Sequence, residues 1–221
     1  MITQEQIDKE NLKRLFVNIN GFPTYLGGVE FDVKDGKHID DGWYTHGTKV
    51  TLTAKETIVG YDFKYWDIND IGRPIHPNDL RLSNDDDCLY LRNVLGLGQS
   101  DDIKQYFDGI VLDVESDGYK KALAFYERAT NPTITFDMTT SADVCAWFNI
   151  KSVRFSVKPQ NQKMGYTSGG GCVFYGTEMD IWAKPNDGYE FTQWLDGVKE
   201  NPRHVEFTKD IEYIALFKKV N

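Results

Sequence analysis

Two stretches of the chain alternate apolar and polar positions in the same way. In HGTKVTLTAK (46–55) the apolar positions are Val50, Leu52 and Ala54, and in YGTEMDIWAK (175–184) they are Met179, Ile181 and Ala183. A period of two predicts a half-buried strand in each. A second strand follows each, GYDFKYW (60–66) and GYEFTQW (188–194), and both read Gly-Tyr-acid-Phe-X-X-Trp. Further on come NPTITFDMTTSADVCAWF (131–148) and NPRHVEFTKDIEYIALF (201–217). Each opens on Asn-Pro, runs into a period-two strand, turns, and ends a second strand on Ala-X-Phe. LGGVEF (26–31) and SGGGCVF (168–174) are a looser pair. Self-similarity of this kind predicts one β-rich module built twice.

The copies differ in one spacing. Trp194 and Asn201 are seven positions apart, whereas Trp66 and Asn131 are 65 apart, a difference of 58 residues. Copy one is therefore the same module interrupted in the loop after its Gly-Tyr strand, where extra chain is tolerated. The expected organisation is a helical arm over 1–15, a first module over 16–150 with an insertion at about 68–130, and a second module over 151–221. The expected fold class is mainly β, of sandwich or β-grasp-like modules, with an N-terminal helix and a small α+β insertion.

The bracketed pattern Gly-Thr, Ala-Lys, Gly-Tyr-X-Phe-X-X-Trp, Asn-Pro and Ala-X-Phe resembles the divergent internalin-B-type repeat. The resemblance covers about 15–66, 131–150 and 151–219. Such modules occur in bacterial surface proteins and in some phage proteins. They are small, β-rich and non-catalytic, so the resemblance implies a spacer, adhesion or assembly role. The long insertion departs from the family pattern, and neither a secretory leader nor a sorting segment is expected.

Within each module Tyr61, Phe63 and Trp66, and Tyr189, Phe191 and Trp194, are expected core aromatics, each able to bury about 150–250 Å². An indole N–H bonded to a loop carbonyl would pin the turn. Gly60 and Gly188 are expected at positive φ. Trp182 stands where copy one has Thr53, so it points out of its module. Three sites are open to it: the other module, the insertion, or a partner. Trp147 and Leu216 raise the same question. TQEQIDKENLKRL (3–15) reads as a helix capped by Thr3, with Ile7, Leu12 and Leu15 as a stripe that docks on the first module or on a neighbour.

In the insertion, LRLSNDDDCLYLRNVL (80–95) suggests two short strands around an acidic turn, and SDDIKQYF (100–107) a short helix. Asp117-Gly118 favours a hairpin, although Tyr119, Ala122, Leu123 and Tyr126 also fit a helical face.

Composition narrows the function. The net charge of −9 argues against general nucleic-acid binding and against an acidic membrane surface. Cys88, Cys145 and Cys172 are too few and scattered for a disulfide scaffold or zinc site. Asp85, Asp86 and Asp87 lack the spaced ligands of a calcium loop. The four histidines are dispersed, SGGGC lacks the Lys of a phosphate loop, and no nucleophile elbow occurs. No catalytic, cofactor or metal residues are expected. MITQEQIDKENLKRLF has no apolar leader core, so synthesis in the host cytoplasm without secretion is expected. The expectation is a structural protein of a large assembly, such as a capsid decoration or auxiliary subunit of a phage virion, with capsid proteins as partners. The alternative is a carbohydrate-binding or adhesin module. Candidate contacts are Ile7, Leu12, Leu15, Trp43, Tyr44, Trp147 and Trp182.

Overall fold

The computed structural model describes residues 2–20, 27–40, 42–57 and 59–220. Strands hold 46% of the described residues and helices 18%, which makes the protein mainly β. It divides into two compact units, Met1–Asn149 and Ile150–Asn221.

Unit 2 shows the module without interruption. Its strands are β11 (Ser152–Pro159), β12 (Gly165–Thr167), β13 (Gly170–Phe174), β14 (Thr177–Ile181), β15 (Ala183–Pro185), β16 (Tyr189–Trp194), β17 (Arg203–Phe207) and β18 (Ile211–Lys219). One sheet runs β13-β11-β18-β16, with β11 and β18 parallel. β14 pairs antiparallel with β17. Apolar positions from both layers meet in one core: Val153, Val157, Ile181, Ala183, Trp194, Val205, Phe207, Tyr213, Ala215 and Phe217.

Unit 1 repeats this plan. Its strands are β1 (Lys13–Ile19), β2 (Gly28–Lys34), β3 (His38–Asp40), β4 (Trp43–Tyr44), β5 (Lys49–Lys55), β6 (Tyr61–Ile68), β7 (Phe107–Asp108), β8 (Val111–Leu112), β9 (Thr133–Asp137) and β10 (Ala142–Ile150). The sheet β3-β4-β1-β10-β6 has β1 and β10 parallel, and β5 pairs antiparallel with β9. Val50, Leu52, Trp66, Ile134, Phe136, Val144, Ala146 and Phe148 close its core. The loosely related Gly-rich stretches are not equivalent, because β2 pairs with β5 whereas β13 pairs with β11. Leu26 of the first stretch lies outside the described residues.

The repeat motif has a geometric reason. Residues three apart in a regular strand face opposite sides. Between Phe191 and Gln193 the register of β16 on β18 shifts, so one extra residue is accommodated and Phe191 and Trp194 turn to the same face. Their rings sit 5.6 Å apart, and those of Phe63 and Trp66 sit 5.2 Å apart. Trp194 Nε1 donates to the Glu200 carbonyl at 2.9 Å, and Trp66 Nε1 to the Asn131 carbonyl at 2.9 Å. The 58 extra residues thus leave and rejoin the module at the same indole-pinned turn. Gly60 and Gly188, at φ +91° and +81°, open the two strands in a conformation that other residues resist.

Three local expectations are corrected. The N-terminal helix, α1, spans only Gln4–Glu10, with Thr3 Oγ1 accepting from the Gln6 amide. Asn11 in the left-handed conformation ends it, and the alternating KRLFVNI becomes β1. The acidic stretch of the insertion is not a strand turn but the start of α2 (Asp85–Leu95). Asn84 caps it, and three carboxylates in the first turn suit the positive end of the helix dipole. Asp117-Gly118 opens α3 (Asp117–Thr130) rather than a hairpin, because Ser116 Oγ accepts from the Tyr119 amide and caps a helix. Residues Lys104–Tyr106 form a single 3-10 turn.

The insertion has its own small core of Leu80, Tyr90, Leu91, Ile103, Leu112 and Ala122. Phe125 packs on both this core and that of the module, and Ala129 belongs to the latter. α3 is therefore anchored to unit 1 by apolar burial along its length.

Candidate functional site

That anchoring places α3 beside the open face of β6 and β10. On this face Tyr65 and Trp147 stack, with ring centroids 5.6 Å apart and planes at 15°. Trp147 keeps 38% of its surface exposed. α3 contributes Tyr126 and Thr130, the segment after β6 contributes Arg73 and Pro74, and Asn20, Lys64 and Asn149 complete a cleft of about 820 Å³. That volume lies in the range of small-ligand sites.

The walls are tied together by hydrogen bonds and a ring contact. Asn20 locks β1 to β10 by donating from Nδ2 to the Phe148 carbonyl at 3.1 Å and accepting the Phe148 amide at Oδ1. The Tyr126 ring meets His76 edge-on at 5.0 Å, and Thr130 Oγ1 donates to the Tyr126 carbonyl. Burial pushes the Tyr65 hydroxyl above its ordinary pKa, with Asp67 adding to the rise and Arg73 opposing it.

The charge of the cleft opposes that of the chain. Among its lining residues Arg73 and Lys64 are cationic and none is a carboxylate, in a protein of net charge −9. Lys64 Nζ lies 3.8 Å from Asp62, an exposed pair. Arg73 is exposed and makes no ion pair among the described residues.

Unit 2 has no such platform. The repeat motifs place Gln193 and Leu216 of unit 2 where unit 1 has Tyr65 and Trp147, and Gln193 pairs with Leu216. The module folds with either pair, so its core does not require two stacked aromatics there.

The contact candidates read from sequence are dispersed. Leu12, Leu15 and Tyr44 are buried in unit 1. Ile7 is half-buried on α1. Trp43 is half-buried beside the Arg14 guanidinium, 5.9 Å from its ring. Trp182 neither enters its core nor lies bare: it meets Tyr166 edge-on at 5.8 Å, and the Lys184 ammonium sits 5.2 Å from its ring. Only Trp147 joins the cleft. Tyr65, Arg73 and Tyr126 were not singled out as contacts by sequence, although Tyr65 lies inside the repeat motif. The signal available was its contrast with Gln193 in the other copy.

A second hollow of about 380 Å³ in unit 1 is lined by Leu15, Phe16, Val17, Phe31, Val33, His38, Gly42 and Tyr44. Phe31 and Phe16 are 51% and 44% exposed. In unit 2, His204 Nδ1 lies 2.8 Å from Asp180, and Glu178 sits on its other side. These carboxylates hold the imidazole above its ordinary pKa. Among the described residues no three His, Cys, Asp or Glu side chains converge as metal ligands. The Cys88 and Cys145 thiols are pushed up by burial and then by neighbouring carboxylates.

Comparison with protein families matches the divergent InlB B-repeat domain at residues 31–79 and 155–221. Comparison with curated proteins and with solved structures gives no match. The matched segments, 49 and 67 of 221 residues, together cover just over half of the chain. They fall on the two copies of the Gly-Tyr-X-Phe-X-X-Trp module, and the chain belongs to the divergent InlB B-repeat domain family.

Proposed function

We propose that this protein is a non-catalytic interaction subunit whose binding surface lies on unit 1. Family membership supports a surface or interaction module. The observation that carries the rest is the asymmetry between the copies. The module is built twice, yet only unit 1 adds an anchored insertion and an aromatic pair that folding does not demand. In its fuller form the reading is an auxiliary or decoration subunit of a phage virion, with capsid proteins as partners. The hollow with exposed Phe16 and Phe31 gives such a partner apolar surface to bury. Gradient sedimentation of native material, with mass spectrometry of the fractions, tests this. The expected result is co-migration with megadalton particles at fixed stoichiometry. Migration only as a free chain of 25.4 kDa would remove the virion reading.

A second reading, a carbohydrate-binding surface module, is favoured by the Tyr65–Trp147 platform and its polar surroundings.

A further inference from the structure

We infer that the cleft between β6, β10 and α3 is a saccharide site selective for a sugar bearing a carboxylate. The inference rests on reading unit 1 as the binding unit and names the ligand class of that unit.

The platform comes first. A pyranose presents a face of C–H groups edged by hydroxyls. An aromatic ring offers a flat, weakly negative face to such hydrogens, and a large area at small cost in side-chain entropy. Trp147 is already held in one orientation by its stack on Tyr65, so little freedom remains to be lost on binding. Around it stand groups suited to hydroxyls: the Tyr126 phenol and the Asn149 amide line the same cleft. A site made of one rigid apolar face and several polar groups fits a sugar better than a purely apolar ligand.

Charge comes second. Arg73 and Lys64 line the cleft, and no carboxylate does. The chain as a whole is acidic, so attraction for an anion at this cleft comes from its local cations and not from the net charge. The Arg73 guanidinium has no ion-pair partner among the described residues, and its fork matches a carboxylate bidentately. The same acidity disfavours a nucleic acid, whose every phosphate carries charge. A mostly neutral saccharide with one acidic residue satisfies both features.

Repeat comparison comes third. Gln193 and Leu216 fill the corresponding positions of unit 2, and the insertion that supplies Arg73 and Tyr126 has no counterpart there. Platform and cation occur together in one copy and are absent together from the other.

The test uses the full chain on a glycan array of neutral, sialylated and uronate-bearing oligosaccharides. Titration calorimetry then follows with a retained acidic glycan, its neutral parent and AMP. The variants are Tyr65→Gln with Trp147→Leu, which transplants the unit 2 pair, and Arg73→Gln. Circular dichroism and thermal melts check that both fold. The expected result is retention of acidic glycans above their neutral parents. The double variant should weaken binding roughly 10-fold, as loss of an aromatic contact of 1–1.5 kcal/mol implies. Arg73→Gln should cut the preference for the acidic glycan by about 10-fold while leaving the neutral parent little changed. The proposal is overturned if no acidic glycan is retained, if neutral parents bind equally, if AMP binds more tightly, or if folded variants bind like the parent. Absence of glycan binding alongside particle association would remove the sugar and leave the binding-subunit reading standing.

Discussion

Trp194→Ala is expected to cost unit 2 about 3–5 kcal/mol, the range for deleting a buried Trp side chain. Trp194 is 1% exposed, and its ring lies 5.6 Å from Phe191 and 6.4 Å from Tyr213. Removing it opens a cavity where the bulged strand meets the core. It also leaves the Glu200 carbonyl without its indole donor. Domain stabilities run at roughly 5–15 kcal/mol, so this one change consumes much of what a 72-residue unit has. Trp194→Phe keeps an apolar ring but loses the N–H and part of the buried ring volume, so it should cost less than Trp194→Ala, about 1–3 kcal/mol. Trp66→Ala should act in the same way on unit 1, where Trp66 is fully buried and donates to Asn131. Denaturant unfolding measures all three. A Trp194→Ala protein that unfolds at the parent midpoint would show that the indole does not hold the module together.

Gly165→Ala is the second large effect expected. Gly165 pairs with Pro185 across β12 and β15. A Cβ there would come within 2.5 Å of the Phe217 ring and 2.6 Å of the Lys184 carbonyl oxygen. The ring belongs to the unit 2 core and the oxygen to the backbone of the neighbouring strand, so neither yields cheaply. Overpacking of this kind costs about 1–3 kcal/mol. For a domain of this size each kcal/mol moves the melting temperature by roughly 4–8 °C. Gly169→Ala is no match for it as a packing test, since Gly169 sits at φ +86° and its strain is of the backbone alone. A melting temperature unchanged by Gly165→Ala would mean that β12 does not lie against Phe217.

The module was legible in sequence because its signals are local and doubled. Val50 and Leu52 alternate with polar residues and are fully buried, as are Ile181 and, nearly so, Ala183. The Phe-X-X-Trp spacing was visible, but not the bulge that explains it, because a bulge is a property of two paired strands. Helix signals are masked in the sequence where turn-forming residues double as caps. Asn84, Ser116 and Asn11 each serve a helix end, and Asp-Gly reads as a turn until a helix dipole and a packing partner are supplied. The cleft was least legible. Trp147 stands out in the sequence, but Arg73, Tyr126 and Tyr65 are brought to it only by the anchoring of α3 and by the adjacency of β6 and β10 in the sheet, whose stacked rings are 82 positions apart in sequence. Leu12, Leu15 and Tyr44 are nearly fully buried, in or beside β1 and β4, and that burial depends on strand neighbours distant in sequence.

The central claim is that the protein acts by binding through unit 1. Hydrogen exchange of the full chain tests it, measured with and without the particle or glycan that it retains. The account predicts slowed exchange in β6, β10, the end of α3 and the segment around Arg73, with unit 2 unchanged. Slowing in unit 2 with none in unit 1 would contradict it.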